Sequence, residues 1–142
     1  DPNVRVQWED HPVFKVISED AATFSYVVHQ ETAKPPVPMV SARDFVSRLY
    51  KLDRYFVKED GTEGHINVRV PCDEPVEKTD KSIVRGQQVC LGNFITPTAD
   101  GQGSEINGIV IQDLTGNVPA MVINKKSKDS VRLQYEAVTK FA

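Results

Sequence analysis

At 142 residues, with 39% hydrophobic and 26% charged side chains, the chain has the composition of one ordinary globular domain, not of a disordered or fibrous protein. No run approaches the ~18 apolar residues of a membrane-spanning helix, and the opening "DPNVRVQWED" carries no basic-then-apolar leader. The net charge of −3 lacks the basic excess of a general nucleic-acid binder, so no nucleic-acid partner is expected.

In chain order, "VFKVIS" (13–18) and "TFSYVVHQ" (23–30) are β-branched and aromatic, and they predict an antiparallel hairpin turning near Glu19-Asp20. Pro35, Pro36 and Pro38 exclude helix and favour an extended crossing. "RDFVSRLYKL" then alternates, with Phe45, Ser47 and Leu49 on one face and Asp44, Val46, Arg48 and Tyr50 on the other. Glu59-Asp60-Gly61 marks the next hairpin turn, with Ile66, Val68 and Val70 alternating beyond it. After the proline-broken loop "PCDEPVEKTD", a long strand is expected from Ile83 to about Ile95, bent at Gly86 and Gly92. "INGIVIQDL" is the last strand. Gly116 then breaks the chain, Pro119 fits the first turn of a helix, and Val131, Tyr135, Val138 and Ala142 share one helical face. About six strands and one long C-terminal helix make an α+β domain over residues 1–142. One helix is narrower than such a sheet, so the gap between the two layers is a candidate ligand cavity.

Catalytic and metal patterns are missing from the sequence. His11, His29 and His65 form no HxxxH, HxH or Cys/His cluster, so neither a metal nor a cofactor is expected. There is no nucleophile elbow and no phosphate loop, and the acidic pairs Glu19/Asp20, Glu59/Asp60 and Asp73/Glu74 coincide with turn signals. The chain is therefore not expected to be an enzyme. His29 and Glu31 are the sole candidates for an acid/base pair, near a strand end. Cys72 and Cys90 lack CxxC spacing and read as reduced strand residues of a cytosolic protein. Lys125, Lys126, Lys128, Arg132 and Lys140 make the C-terminal helix locally basic, which suits transient contact with anionic headgroups.

Three segments in this order, "PVPMVSARDFV", "IVRGQQVCLGNFITP" and "INGIVIQDLTGNVPAMVIN", closely resemble the START family of lipid-transfer domains, over nearly the whole chain. The matching positions are Pro38, Arg43, Asp44 and Phe45, then Arg85, Gly92 and Pro97, then Asp113, Gly116, Pro119 and Asn124. The resemblance implies a helix-grip fold: a curved antiparallel sheet wrapped on a long C-terminal helix around a hydrophobic tunnel. Such a tunnel would hold one sterol, phospholipid or ceramide, and the protein is expected to be cytoplasmic and peripheral to membranes. The expected lining is Gln30, Phe45, Ser47, Leu49, Asn107, Ile123 and Ser127. Arg43, Asp44, Asp113, Gly116 and Pro119 are expected to be architectural, with Arg43-Asp44 at the rim.

Two departures from the family pattern stand out. Family members begin earlier, with an N-terminal helix and first strand, so this chain resembles the later two-thirds of the domain and would leave a sheet edge open to self-association. Several members also carry a buried arginine six residues after the motif arginine, where this chain has Leu49. Arg48 has the opposite parity, so the expected tunnel lacks that cation. The alternative to lipid transfer is a regulatory interaction module, in which lipid occupancy or the open edge controls a partner.

Overall fold

A computed structural model describes residues 13–35 and 37–124. Seven strands form one sheet: β1 (Val13–Asp20), β2 (Ser25–Glu31), β3 (Arg43–Val57), β4 (Glu63–Pro71), β5 (Val84–Arg85), β6 (Gln87–Pro97) and β7 (Ser104–Asp113). The order is β1-β2-β3-β4-β6-β7, every step antiparallel, and β5 adds a short parallel pairing to β3. Register shifts at Val16/Ser18, Leu52/Phe56 and Gln88/Cys90 mark bulges, which increase twist and bend the sheet. Among the described residues β1 and β7 are its edges.

The hairpins form where turn chemistry and alternation agree. Gly61 takes φ 84° between β3 and β4, and the Asp60 carboxylate accepts the Thr62 N–H at 2.9 Å. The β1–β2 turn falls at 21–24, not at Glu19-Asp20, which belong to the strand. There the Asp20 carboxylate accepts the Ala22 N–H and the Thr23 hydroxyl, at 2.9 and 2.8 Å. Its hydrogen bonds hold Asp20 below its ordinary pKa.

The strand expected from Ile83 to Ile95 is instead two elements broken at Gly86. A Cβ at Gly86 would stand 2.6 Å from Cε1 of Phe45 and 2.9 Å from the Asp113 carbonyl oxygen, so only glycine admits that ring and backbone together. Helix begins at Ala120, one residue past the expected start. The Pro119 carbonyl accepts the Val122 and Ile123 N–H groups at 2.9 and 3.3 Å, which places Pro119 at the cap. The remainder of the expected helix, with Ser127 and the basic residues, lies outside the described residues.

The core sits on the central strands. Val27, Val28, Phe45, Val46 and Ile66 are all buried, and they come from both faces of β2, β3 and β4. Cys72 and Cys90 are free thiols and half-buried; Cys90 lies on β6, and Cys72 just past the end of β4.

Candidate functional site

Because antiparallel partners share a face, the registers sort every side chain. Pairing of β2 with β3 is unbroken from Glu31↔Asp44 to Ser25↔Tyr50. Phe45, Ser47 and Leu49 therefore do share one face, with Gln30, Val28 and Tyr26 beside them on β2. Leu49 faces Arg69 on β4, and Arg69 faces Leu91 on β6. Arg48 is on the opposite face, as its parity requires.

The Phe45 face mixes apolar Val28, Phe45, Leu49 and Leu91 with polar Gln30, Ser47, Asn67, Asn93 and Arg69. Phe45, Ser47 and Val28 are buried, and Leu49, Gln30 and Leu91 are half-buried. It carries the exposed Lys51 and the half-buried Arg69, whose Nη1 donates to Oε1 of Gln30 at 2.7 Å across the intervening strand. Burial pulls the Arg69 pKa below its ordinary value, because an apolar setting disfavours the charged form.

The opposite face carries an ion cluster. Asp44 is fully buried and receives Arg85 through Nε, at 2.9 Å to each carboxylate oxygen, and through Nη2 at 2.6 Å. Nε2 of His29 stands 3.0 Å from the Asp44 carboxylate and 3.6 Å from that of Glu31. Glu31 accepts the Thr79 N–H and hydroxyl at 3.2 and 2.7 Å, while Arg85 Nη2 donates to the Val76 carbonyl at 2.8 Å. Desolvation acts to raise the Asp44 pKa, but the hydrogen bonds from Arg85 and His29 outweigh it and hold the carboxyl below its ordinary value. The cluster pins the 72–85 segment over this face.

Of the three histidines, His29 comes to stand beside the Asp44 and Glu31 carboxylates. His29, Glu31 and Asp44 present ligand atoms within 4.8 Å of one another. The Arg85 guanidinium already contacts both Asp44 oxygens, so the triad is tied into the fold as part of an internal ion cluster. Nor do His29 and Glu31 share the Phe45 face. Sequence spacing hid the cluster, because its members lie 15 and 41 residues apart.

The architectural residues do more than mark a rim. Asp44 lies in the core, not at an edge. Arg43 donates to the carbonyls of Ser41, Leu114 and Thr115, tying the start of β3 to the chain leaving β7. Asp113 accepts the Thr115 N–H at 2.8 Å, and Gly116 takes φ 68°, so both shape the exposed turn before Pro119.

Three expected lining residues are not brought together with Gln30, Phe45, Ser47 and Leu49. Asn107 pairs with Phe94, which pairs with Ile66 and so with Leu52, all on the Asp44 face; Asn107 is exposed and donates to Glu105 at 2.9 Å. Ile123 is 40% exposed on the first helical turn, and Ser127 lies outside the described residues. Two clefts border the 71–85 segment: about 480 Å³ lined by Arg48, Pro71, Cys72, Asp73 and Glu74, and about 550 Å³ lined by Val76, Glu77, Lys78, Lys81 and Arg85. Neither is lined by Gln30, Phe45, Ser47 or Leu49; of that face only Pro71, the partner of Ser47, borders the first cleft.

A bent antiparallel sheet with a helix entering after its last strand defines an α+β domain of the lipid-transfer-protein fold. The chain belongs to the START domain family, whose model matches residues 1–136. In structure it is similar to human StAR-related lipid transfer protein 5, with TM-score 0.70 and 25% identity over 96% of this chain and 64% of that one. It is also similar to human STARD10, with TM-score 0.72 and 17% identity over 94% of this chain and 52% of that one. A third likeness is to the human StarD13 (DLC2) lipid transfer and protein localization domain, with TM-score 0.56 and 21% identity over 81% and 54%. The chain thus spans about half to two-thirds of these relatives' lengths. No curated protein gives a sequence match.

Proposed function

We propose that the chain binds a single lipid against the Phe45 face, in a tunnel closed by the helix that begins at Ala120, and transfers or senses that lipid between membranes. Membership of the START family over residues 1–136 carries this reading, and the buried Val28 and Phe45 on that face support it. Burial of an acyl chain contributes about 0.8 kcal/mol per CH₂, so a lipid can be held mainly by its hydrocarbon part. Sterols, phospholipids and ceramides all meet that requirement.

The protein acts as a carrier and not as an enzyme. The carboxylates and histidine available for acid/base work are engaged by Arg85 and Thr79 on the opposite face. It works in the cytoplasm, touching membranes transiently through the basic residues 125–140. Among the described residues no helix is long and apolar enough to cross a membrane.

A second reading, a regulatory interaction module, is favoured by β7. Among the described residues that strand is an edge, exposed along all ten residues, including Ile106, Ile109, Val110 and Ile111, and its outer side would pair with a second copy or a partner strand. Native mass spectrometry after incubation with mixed-lipid vesicles separates the two. The transfer reading predicts a one-to-one lipid adduct on a monomer. A folded, lipid-free chain that self-associates would contradict it and favour the interaction module.

A further inference from the structure

Independently of the lipid reading, we infer that the second cleft, about 550 Å³ and lined by Val76, Glu77, Lys78, Lys81 and Arg85, is a binding site for a phosphomonoester group.

The donors are available. Lys78 and Lys81 are exposed, and among the described residues neither makes an ion pair or a hydrogen bond through its side chain. Arg85 is one-third exposed. Its Nε and Nη2 are held by the buried Asp44 carboxylate and the Val76 carbonyl, and Nη1 makes no hydrogen bond among the described residues. The Arg85 charge serves Asp44, so the positive charge of the cleft comes from the two lysines, and Arg85 adds one directed donor. A guanidinium is planar, so the contacts to Asp44 and Val76 fix where Nη1 lies. The opposing groups are Glu77, which lines the cleft, and Asp80, whose carboxylate accepts the Ser82 N–H at 2.7 Å.

The backbone carrying these groups is already set. Thr79, between the lysines, donates its N–H and hydroxyl to the buried Glu31 carboxylate at 3.2 and 2.7 Å. The Ile83 N–H donates to the Asp80 carbonyl at 3.2 Å. Fixed backbone under the lysines lowers the ordering cost of binding. Two ammonium groups and one N–H suit a phosphate ester, with its three strong acceptor oxygens and nearly doubled charge, better than a carboxylate. The phosphate belongs to a soluble ester or to a lipid headgroup, and the test separates the two.

The intact chain is titrated with glycerol 3-phosphate and followed by amide NMR; in parallel it is pelleted with phosphatidylcholine vesicles, with and without phosphatidate. Saturable shifts confined to residues 76–85 are expected, half-complete near ~1 mM. Glycerol should give none, and raising the salt about sixfold should weaken binding several-fold. The double variant Lys78→Met/Lys81→Met should bind about tenfold or more weakly, and Glu77→Gln about twofold more tightly. All three side chains are exposed, so the spectra elsewhere should be unchanged. Phosphatidate-dependent pelleting that the double variant loses identifies the lipid headgroup as the source. Pelleting absent or retained, with the glycerol 3-phosphate shifts lost, identifies a soluble ester. A wild-type chain silent in both readouts overturns the site, as does a double variant that changes neither. Equal shifts from chloride at the same ionic strength do so too. None of these three results touches the lipid reading.

Discussion

The two faces of the β2–β3–β4 sheet use polar residues in opposite ways. On the Asp44 face, Asp44, Glu31, His29 and Arg85 close on one another and on Thr79 and Val76, so their charges serve the fold. On the Phe45 face, Arg69 and Gln30 pair across β3 among Phe45, Ser47, Val28 and Leu49, with Lys51, Asn67 and Asn93 further along the same face. The face whose ionisable groups close on one another is therefore the architectural one, and the other is the one proposed to meet ligand. The richest cluster of ionisable groups is a misleading guide to function here, because its members already neutralise one another.

The largest expected effect comes from breaking the architectural face at its centre. Asp44→Ala leaves Arg85 and His29 without their shared carboxylate and should lower unfolding free energy by about 3 kcal/mol in urea titration. Arg85 is one-third exposed, which keeps the loss near the lower end for buried pairs. The same carboxylate gives the domain an acid limit. Its folded pKa is depressed below the ordinary value of 3.8, so its stabilisation is present above that value and is lost as pH falls through the folded one. Urea midpoints measured from neutral pH downward should show this loss, and Asp44→Asn should remove that acid limb.

A smaller effect is expected where the faces meet. Gly86→Ala drives a methyl group into the Phe45 ring and the Asp113 carbonyl; the backbone oxygen cannot step aside, so a loss of about 1–3 kcal/mol should appear as a lower Tm. The smallest effect belongs to Asn107→Ala. Its side chain is exposed on β7 and on the Asp44 face, so stability should stay within about 0.5 kcal/mol and the lipid adduct should be unchanged. A lost adduct in Asn107→Ala would show that β7 lines the cavity and would redraw the comparison of faces.

Much of this was legible in the sequence, for physical reasons. The period-2 alternation of β3 assigns Phe45, Ser47 and Leu49 to one face because no bulge interrupts the pairing over 44–50. Asp60-Gly61 names its own turn. What stayed hidden depended on long-range register. Strand β7 places Ile106 and Val110 on one face and Ile109 and Ile111 on the other, so it lacks the apolar-in, polar-out signal that would have put Asn107 on its true side. The split at Gly86 needed the Phe45 ring, 41 residues earlier in the chain, to be in view. Likewise, Leu49 alone suggested a face without a cation. A half-buried cation, Arg69, comes from the neighbouring strand, and only the β3–β4 register reveals it.

The central claim, that ligand meets the Phe45 face and not the Asp44 face, is tested most directly by photocrosslinking with a diazirine-bearing fatty acyl lipid and mapping the labelled peptides. The account predicts label on Val28, Phe45, Ser47, Leu49 and Leu91, with none on Val27, Val46 or Ile66. Label concentrated on the Asp44 face, or around the cleft of Arg48 and Glu74, would contradict it.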